Sequence, residues 1–113
     1  MHKHYIKQLL AAFLAMSFLI NLAKAESNVI HIQIQKGRFL PSEINIAADT
    51  KVKLLIENLD DTPEEFESYD LNREVLINPN SKASFYIGPL SPGIYKFEGE
   101  FSPATAQGKV IVK

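Results

Sequence analysis

The 113 residues contain no cysteine and carry 12 basic against 13 acidic side chains, a formal net charge of −1. No disulfide can form, no lipid can be anchored through a cysteine, and stability has to come from packing. The lysines are scattered singly, so there is no electrostatic footprint for DNA, RNA or anionic lipid.

The chain opens on a short basic head with Lys3 and Lys7, then an apolar run from Leu9 to Leu22, then the small-residue pattern Ala23-Lys24-Ala25. This is the three-part layout of a secretory signal peptide. The run is shorter than the ~20 apolar residues that a membrane span needs. A signal peptide is therefore expected over 1–25, with cleavage between Ala25 and Glu26 and a single domain over 26–113. The expected location is periplasmic or secreted, with no membrane insertion after cleavage. Lys3, Lys7 and Lys24 leave with the head while all 13 acidic residues stay, so the exported chain is expected to carry −4. Cations or basic protein surfaces are the partners such a domain attracts.

Downstream the apolar period is two. Ile30, Ile32 and Ile34 alternate with His31, Gln33 and Gln35, and Val52, Leu54 and Ile56 alternate with Lys51, Lys53 and Glu57. Such alternation predicts half-buried strands. Further strands are expected at Glu43–Ala47, Arg73–Ile77, Ala83–Gly88, Ile94–Glu98 and Lys109–Val112. They are separated by turn chemistry at Pro41-Ser42, Asn78-Pro79-Asn80-Ser81 and Pro89 to Gly93. No long helix is expected. About seven short strands with regular turns predict an all-β fold, an antiparallel Greek-key sandwich with one core. Phe39, Phe66, Phe85, Phe97 and Phe101 are expected to fill the core or pin loops. Tyr95, two residues after Gly93, is placed to bond back to the backbone at a corner. Gly108 is read as a point of close backbone approach.

Two segments offer clustered oxygen ligands. Glu65 and Glu67 flank Phe66, so in an extended segment both carboxylates point one way and the ring the other; Glu98 and Glu100 repeat the spacing, with Glu64 and Asp70 nearby. Convergent carboxylates stay ionised together only if a cation neutralises them. The candidate metal ligands are thus Glu64, Glu65, Glu67, Glu98 and Glu100, for a hard or borderline ion such as iron or copper. Arg73, between two acidic neighbourhoods, is a candidate tether for the Glu67 segment through a bidentate carboxylate contact. Catalysis has little support, and no enzyme is expected. The serines have no histidine partner evident in the sequence, and no glycine-rich phosphate loop precedes a helix. The alternative to ion binding is a metal-free interaction module that docks its acidic end on a transporter or other periplasmic protein.

The order Pro89-Leu90-Ser91-Pro92-Gly93-Ile94-Tyr95-Lys96-Phe97, Glu98-Gly99-Glu100-Phe101, Thr105-Ala106-Gln107-Gly108-Lys109-Val110-Ile111-Val112 resembles the end of a cupredoxin: penultimate strand, ligand loop, last strand. Upstream, Ile56-Glu57-Asn58, Pro63-Glu64-Glu65-Phe66-Glu67-Ser68 and Leu71-Asn72-Arg73-Glu74 resemble the variant of that fold in the N-terminal domain of the EfeO family of periplasmic iron-uptake proteins. That resemblance implies metal binding by Glu65 and Glu67, and a membrane metal permease as an expected partner. The chain would be a stand-alone form, without cysteine and without the helical domain that follows in EfeO. By the cupredoxin resemblance, the copper-ligand positions fall near Glu64 and Ser102 for the two histidines and near Gly99 for the cysteine. A type 1 (blue) copper site is therefore not expected, and the sole histidine after the head, His31, is expected to be solvated.

Overall fold

The alternating segments fold as strands because each apolar side chain on one face finds a partner sheet to cover it. The computed structural model describes residues 28–113. The expected signal segment and cleavage point lie outside these residues. Nine strands follow in chain order: β1 (Val29–Gln35), β2 (Arg38–Leu40), β3 (Glu43–Ile46), β4 (Val52–Asn58), β5 (Glu64–Ser68), β6 (Arg73–Ile77), β7 (Ser81–Ile87), β8 (Gly93–Gly99) and β9 (Gln107–Val112). They form a four-stranded sheet in the order β2-β1-β4-β7 and a five-stranded sheet in the order β3-β9-β8-β5-β6. No helix occurs among the described residues. The expected all-β sandwich is present, with two strands more than the apolar alternation indicates. β2 and β5 are the additions.

Most ladders are antiparallel, but β1 runs parallel to β4, with Ile32 opposite Ile56, and β3 runs parallel to β9, with Ile44 opposite Val110. Only β1–β2, β5–β6 and β8–β9 are consecutive strands paired within one sheet. The remaining connections carry the chain from one sheet to the other. The facing surfaces share one core: Ile32, Ile34, Phe39, Leu54, Ile56 and Ile87 from the smaller sheet meet Ile44, Phe66, Ile77, Phe97 and Val110 from the larger. Each such side chain taken out of water stabilises the fold by roughly 1.5–3 kcal/mol. At its centre Phe66 lies 4.8 Å from Phe97, 4.9 Å from Phe85 and 6.1 Å from Phe39, ring centre to ring centre. Phe101 is not part of this core: half of the residue is exposed.

Close approaches fall where side chains are absent. A Cβ on Gly108 would come within 2.3 Å of the Phe97 ring and 2.8 Å of the Ser42 carbonyl, so β9 lies tight against the aromatic cluster as expected. The Tyr95 hydroxyl donates to the Ser91 carbonyl at 2.8 Å, the expected corner bond.

A carboxylate row on the outer face of the larger sheet

Strand β5 sets the site. Its sequence Glu-Glu-Phe-Glu-Ser alternates buried and half-buried positions, with Glu64, Phe66 and Ser68 turned inward and Glu65 and Glu67 outward. The start of the strand is held by Asn58, fully buried at the end of β4. Its Nδ2 donates to the carbonyls of Thr62, Ile77 and Asn78 at 2.8, 3.2 and 3.3 Å, and its Oδ1 accepts the Asp60 N–H at 3.0 Å. One amide side chain thereby joins the end of β4, the β4–β5 connection and the end of β6. At the far end, β5 parts from β8, and side chains replace the ladder. Ser68 Oγ donates to the Lys96 carbonyl at 2.6 Å and accepts the Leu71 N–H at 3.0 Å, while Asp70 Oδ2 accepts the Lys96 N–H at 2.8 Å.

The register then lines up glutamates. Glu67 stands opposite Glu74 of β6 on one side and opposite Glu98 of β8 on the other. Like charges directly across a ladder destabilise it. Diagonal to this row, Glu65 and Glu74 approach Glu100, whose N–H donates to the Glu65 carbonyl at 2.9 Å. One carboxylate oxygen each from Glu65, Glu74 and Glu100 lies within 4.8 Å of the other two. Among the described residues the ion pairs are Lys82–Glu57 at 3.5 Å, on the other sheet, and Lys109–Glu43 at 3.3 Å, toward the β3 edge of this one; neither includes a member of the row.

The crowding shows in the acidities. The Glu65 carboxyl is pushed up from 4.5 to about 7, first by a hydrogen bond shared with Glu74, then by partial desolvation and the charge of Glu100. Glu67 is raised as well, by desolvation first and then by the charges of Glu100, Glu74 and Glu98. A cation here would relieve the repulsion and be met by several oxygen donors.

Of the residues singled out from sequence, Glu65, Glu67, Glu98 and Glu100 share this face. Glu65, Glu67 and Glu98 are ladder residues of β5 and β8, whereas Glu100 stands in the turn that follows β8, beside Glu65. Glu64 does not join them. It is 3% exposed, and its Oε1 accepts the N–H of Phe101 at 2.9 Å and of Glu65 at 3.0 Å. With its oxygen turned inward, it is withdrawn from the ligand set of the outer face. Glu74 enters in its stead. It was legible only as an outward position on the expected strand Arg73–Ile77; the β5–β6 register that brings it beside Glu65 and Glu67 was not. Among the described residues Arg73 tethers no carboxylate. Its Nε donates to the Tyr86 carbonyl at 3.0 Å and its guanidinium to the Asn72 and Leu71 carbonyls at 2.9 and 3.3 Å, which covers the outer edge of β7. Open depressions of about 310 and 280 Å³ lie on either side of Glu67 and Tyr69, one walled by Glu74, the other by Glu98.

Residues 8–112 match the family model described as the cupredoxin-like domain. The chain belongs to that family. It is 40% identical over 91 residues to the uncharacterized protein RP394 of Rickettsia prowazekii (strain Madrid E), covering 79% of this chain and 73% of that one. Similar solved structures include auracyanin A, a "blue" copper protein from the green thermophilic photosynthetic bacterium Chloroflexus aurantiacus, at 14% identity and a TM-score of 0.64, over 75% of this chain and 98% of that chain. The metal-binding domain of the Cu(I)-exporting P-type ATPase CopA of Streptococcus pneumoniae D39, solved with Cu(I), is similar at 16% and 0.64, over 75% and 84%. Amicyanin from Paracoccus versutus is similar at 19% and 0.59, over 77% and 83%. At these identities the likeness is one of fold.

Whether this cupredoxin-like domain suits copper of the blue kind is a question of donors. Such a site uses a thiolate and imidazoles. The three positions that the resemblance implies do converge: a Cβ on Gly99 would lie 2.7 Å from Glu64 Cδ, and the Ser102 N–H donates to the Gly99 carbonyl at 3.1 Å. They supply a carboxyl, no side chain and a hydroxyl. His31 is exposed on the outer face of the other sheet, as expected. The residues do not fit a blue copper centre.

Proposed function

We propose that this domain binds a hard or borderline metal ion, ferric iron or cupric copper, through carboxylates on the outer face of β5 and β6 and in the turn after β8, and serves metal uptake or homeostasis after export through its N-terminal head. The observation that carries this reading is the group of Glu65, Glu74 and Glu100, with oxygens within 4.8 Å of one another and no ion pair to any of them among the described residues. Glu67 supplies a fourth carboxylate beside the group. A protein ordinarily avoids like charges across a ladder, and local rules of this kind are broken mainly at functional sites. Hard cations take oxygen donors, and oxygen is what this face offers. The copper-holding neighbours and the Glu65-Phe66-Glu67 triplet, which resembles EfeO-type domains, support a metal-handling role. Electron transfer and catalysis are not part of the reading.

The test is calorimetric titration of the purified chain with ferric citrate and cupric ions, alongside thermal melts. A ligand held only by the folded state raises Tm. The expected outcome is a rise with iron or copper and none with magnesium, and at least a tenfold weaker affinity in the Glu65→Ala, Glu74→Ala double variant. Equal affinity in the two proteins removes the site.

A second reading has its own observation. Tyr69 is 95% exposed between the two depressions, beside Glu67 and Asp70. An aromatic ring beside carboxylates that form no ion pair among the described residues suits a basic surface of a permease or other periplasmic protein. In that case metal leaves Tm unmoved.

A further inference from the structure

The end of the sandwich at which the resemblance implies metal ligands holds an unusual arrangement of its own. Glu64 is buried at the start of β5, beneath the segment that joins β8 to β9. Two backbone N–H groups, of Phe101 and Glu65, converge on its Oε1 at 2.9 and 3.0 Å. The segment above is a closed turn: the Ser102 N–H donates to Gly99 at 3.1 Å, the Ala106 N–H to Ser102 at 2.8 Å, and the Gly99 N–H to Ala106 at 2.8 Å. Its outer rim is tied to the β1–β2 turn by Thr105 Oγ1, which donates to the Gly37 carbonyl at 2.6 Å.

Space is as tightly specified as polarity. A Cβ on Gly99 would meet Glu64 Cδ and Ala106 Cβ, each at 2.7 Å, and Glu64 Oε1 at 2.9 Å. Ala106 is itself fully buried. The room beneath the turn is therefore shared by a carboxyl group, a methyl group and a glycine backbone, and any side chain at position 99 has to displace the carboxyl.

We propose that the Glu64 carboxyl is the resident anchor of this end of the fold: an internal acceptor that organises residues 99–106 from beneath, where the copper-holding relatives of the family imply a metal ion, and that with Gly99 and Ala106 closes this interior to ligands. An N–H buried without an acceptor costs as much as a lost hydrogen bond, so the Phe101 amide needs Glu64 as Glu64 needs it. Glu64 is then a positioning residue of the turn and no metal ligand. The proposal stands whether or not the outer face binds an ion.

Thermal melts and amide hydrogen exchange of the full chain test it. In the unmodified protein the Phe101 N–H exchanges slowly, although half of that residue is exposed. Glu64→Ala lowers Tm by roughly 10 °C or more, as expected for a small domain losing two buried hydrogen bonds and their acceptor, and releases the Phe101 amide to fast exchange. Glu64→Gln keeps an oxygen at the same place, so it retains the Phe101 protection and loses less than half as much in Tm. Gly99→Ala destabilises the parent chain more than it does the Glu64→Ala chain, because half of its clash has been removed. Fast exchange of Phe101 in the unmodified protein overturns the anchor even if Glu64→Ala fails to fold. Loss of iron or copper binding in Glu64→Gln with Tm unchanged also overturns it, by making Glu64 a ligand.

Discussion

The two faces of β5 put glutamate to opposite uses within four residues. Inward, Glu64 is enclosed, doubly hydrogen-bonded and in line with Phe66 and Ser68. Outward, Glu65 and Glu67 stand among Glu74, Glu98 and Glu100, crowded by like charge. The inner carboxyl has every contact a structural group requires, and the outer ones have the repulsion that a bound cation would remove. Parity along the strand, and not residue type, separates a group that holds the fold from groups that strain it.

The largest effect that sharpens this contrast is Phe66→Ala against Glu67→Ala. Removing a fully buried ring from the aromatic cluster costs about 3–5 kcal/mol, whereas truncating Glu67 leaves stability unchanged or raises it. Urea unfolding of both variants checks the difference, and comparable losses would dissolve the distinction between the faces. Next in size is the dependence on pH. The Glu65 carboxyl titrates at about 7 in the fold and at its ordinary 4.5 when unfolded, so between those values the folded state binds more protons. Its contribution to stability is fully present below pH 4.5 and is lost as pH rises through 7. Subtracting the Glu65→Gln curve from that of the parent, by melts from pH 4 to 8, should leave a falling difference; a flat one would mean the crowding is not felt. Ion binding runs the other way, strengthening as pH rises through 7 because protons no longer compete. The smallest expected effect is that of Glu98→Gln. Glu98 Oε2 accepts from Gln107 at 3.1 Å and lies outside the close group of three, so iron or copper affinity should change less than threefold by titration.

How much of this was legible in the sequence follows from where the information lies. The alternation of Ile30 to Gln35, and that of Val52 to Glu57 interrupted only at Leu55, specifies β1 and β4 and their buried faces by itself. β2 was hidden because three residues, Arg38 to Leu40, are too few to show a period. β5 was hidden as a strand because its inner face reads Glu, Phe, Ser, with one apolar residue; the outward parity of Glu65 and Glu67 was nevertheless readable around Phe66. Glu64 looked like a third surface carboxylate, since the amide it serves belongs to Phe101, 37 positions further on. Glu74 was missed for a related reason: its place beside Glu65 and Glu67 depends on strand register. Arg73 was drawn toward the nearest acidic residues by sequence, but the carbonyls of Leu71, Asn72 and Tyr86 are what its guanidinium reaches.

The position of β9 bears on how the polypeptide acquires its shape. It lies inside the larger sheet, parallel to β3 and antiparallel to β8, with Ile44 and Tyr95 both opposite Val110. As the ribosome makes the chain from its N-terminus, β3 waits through more than half the sequence for the neighbour that completes it, and pairings over such separations close slowly. The larger sheet is therefore completed only after its last strand has been made, and the inner edge of β3 stays unpaired until then.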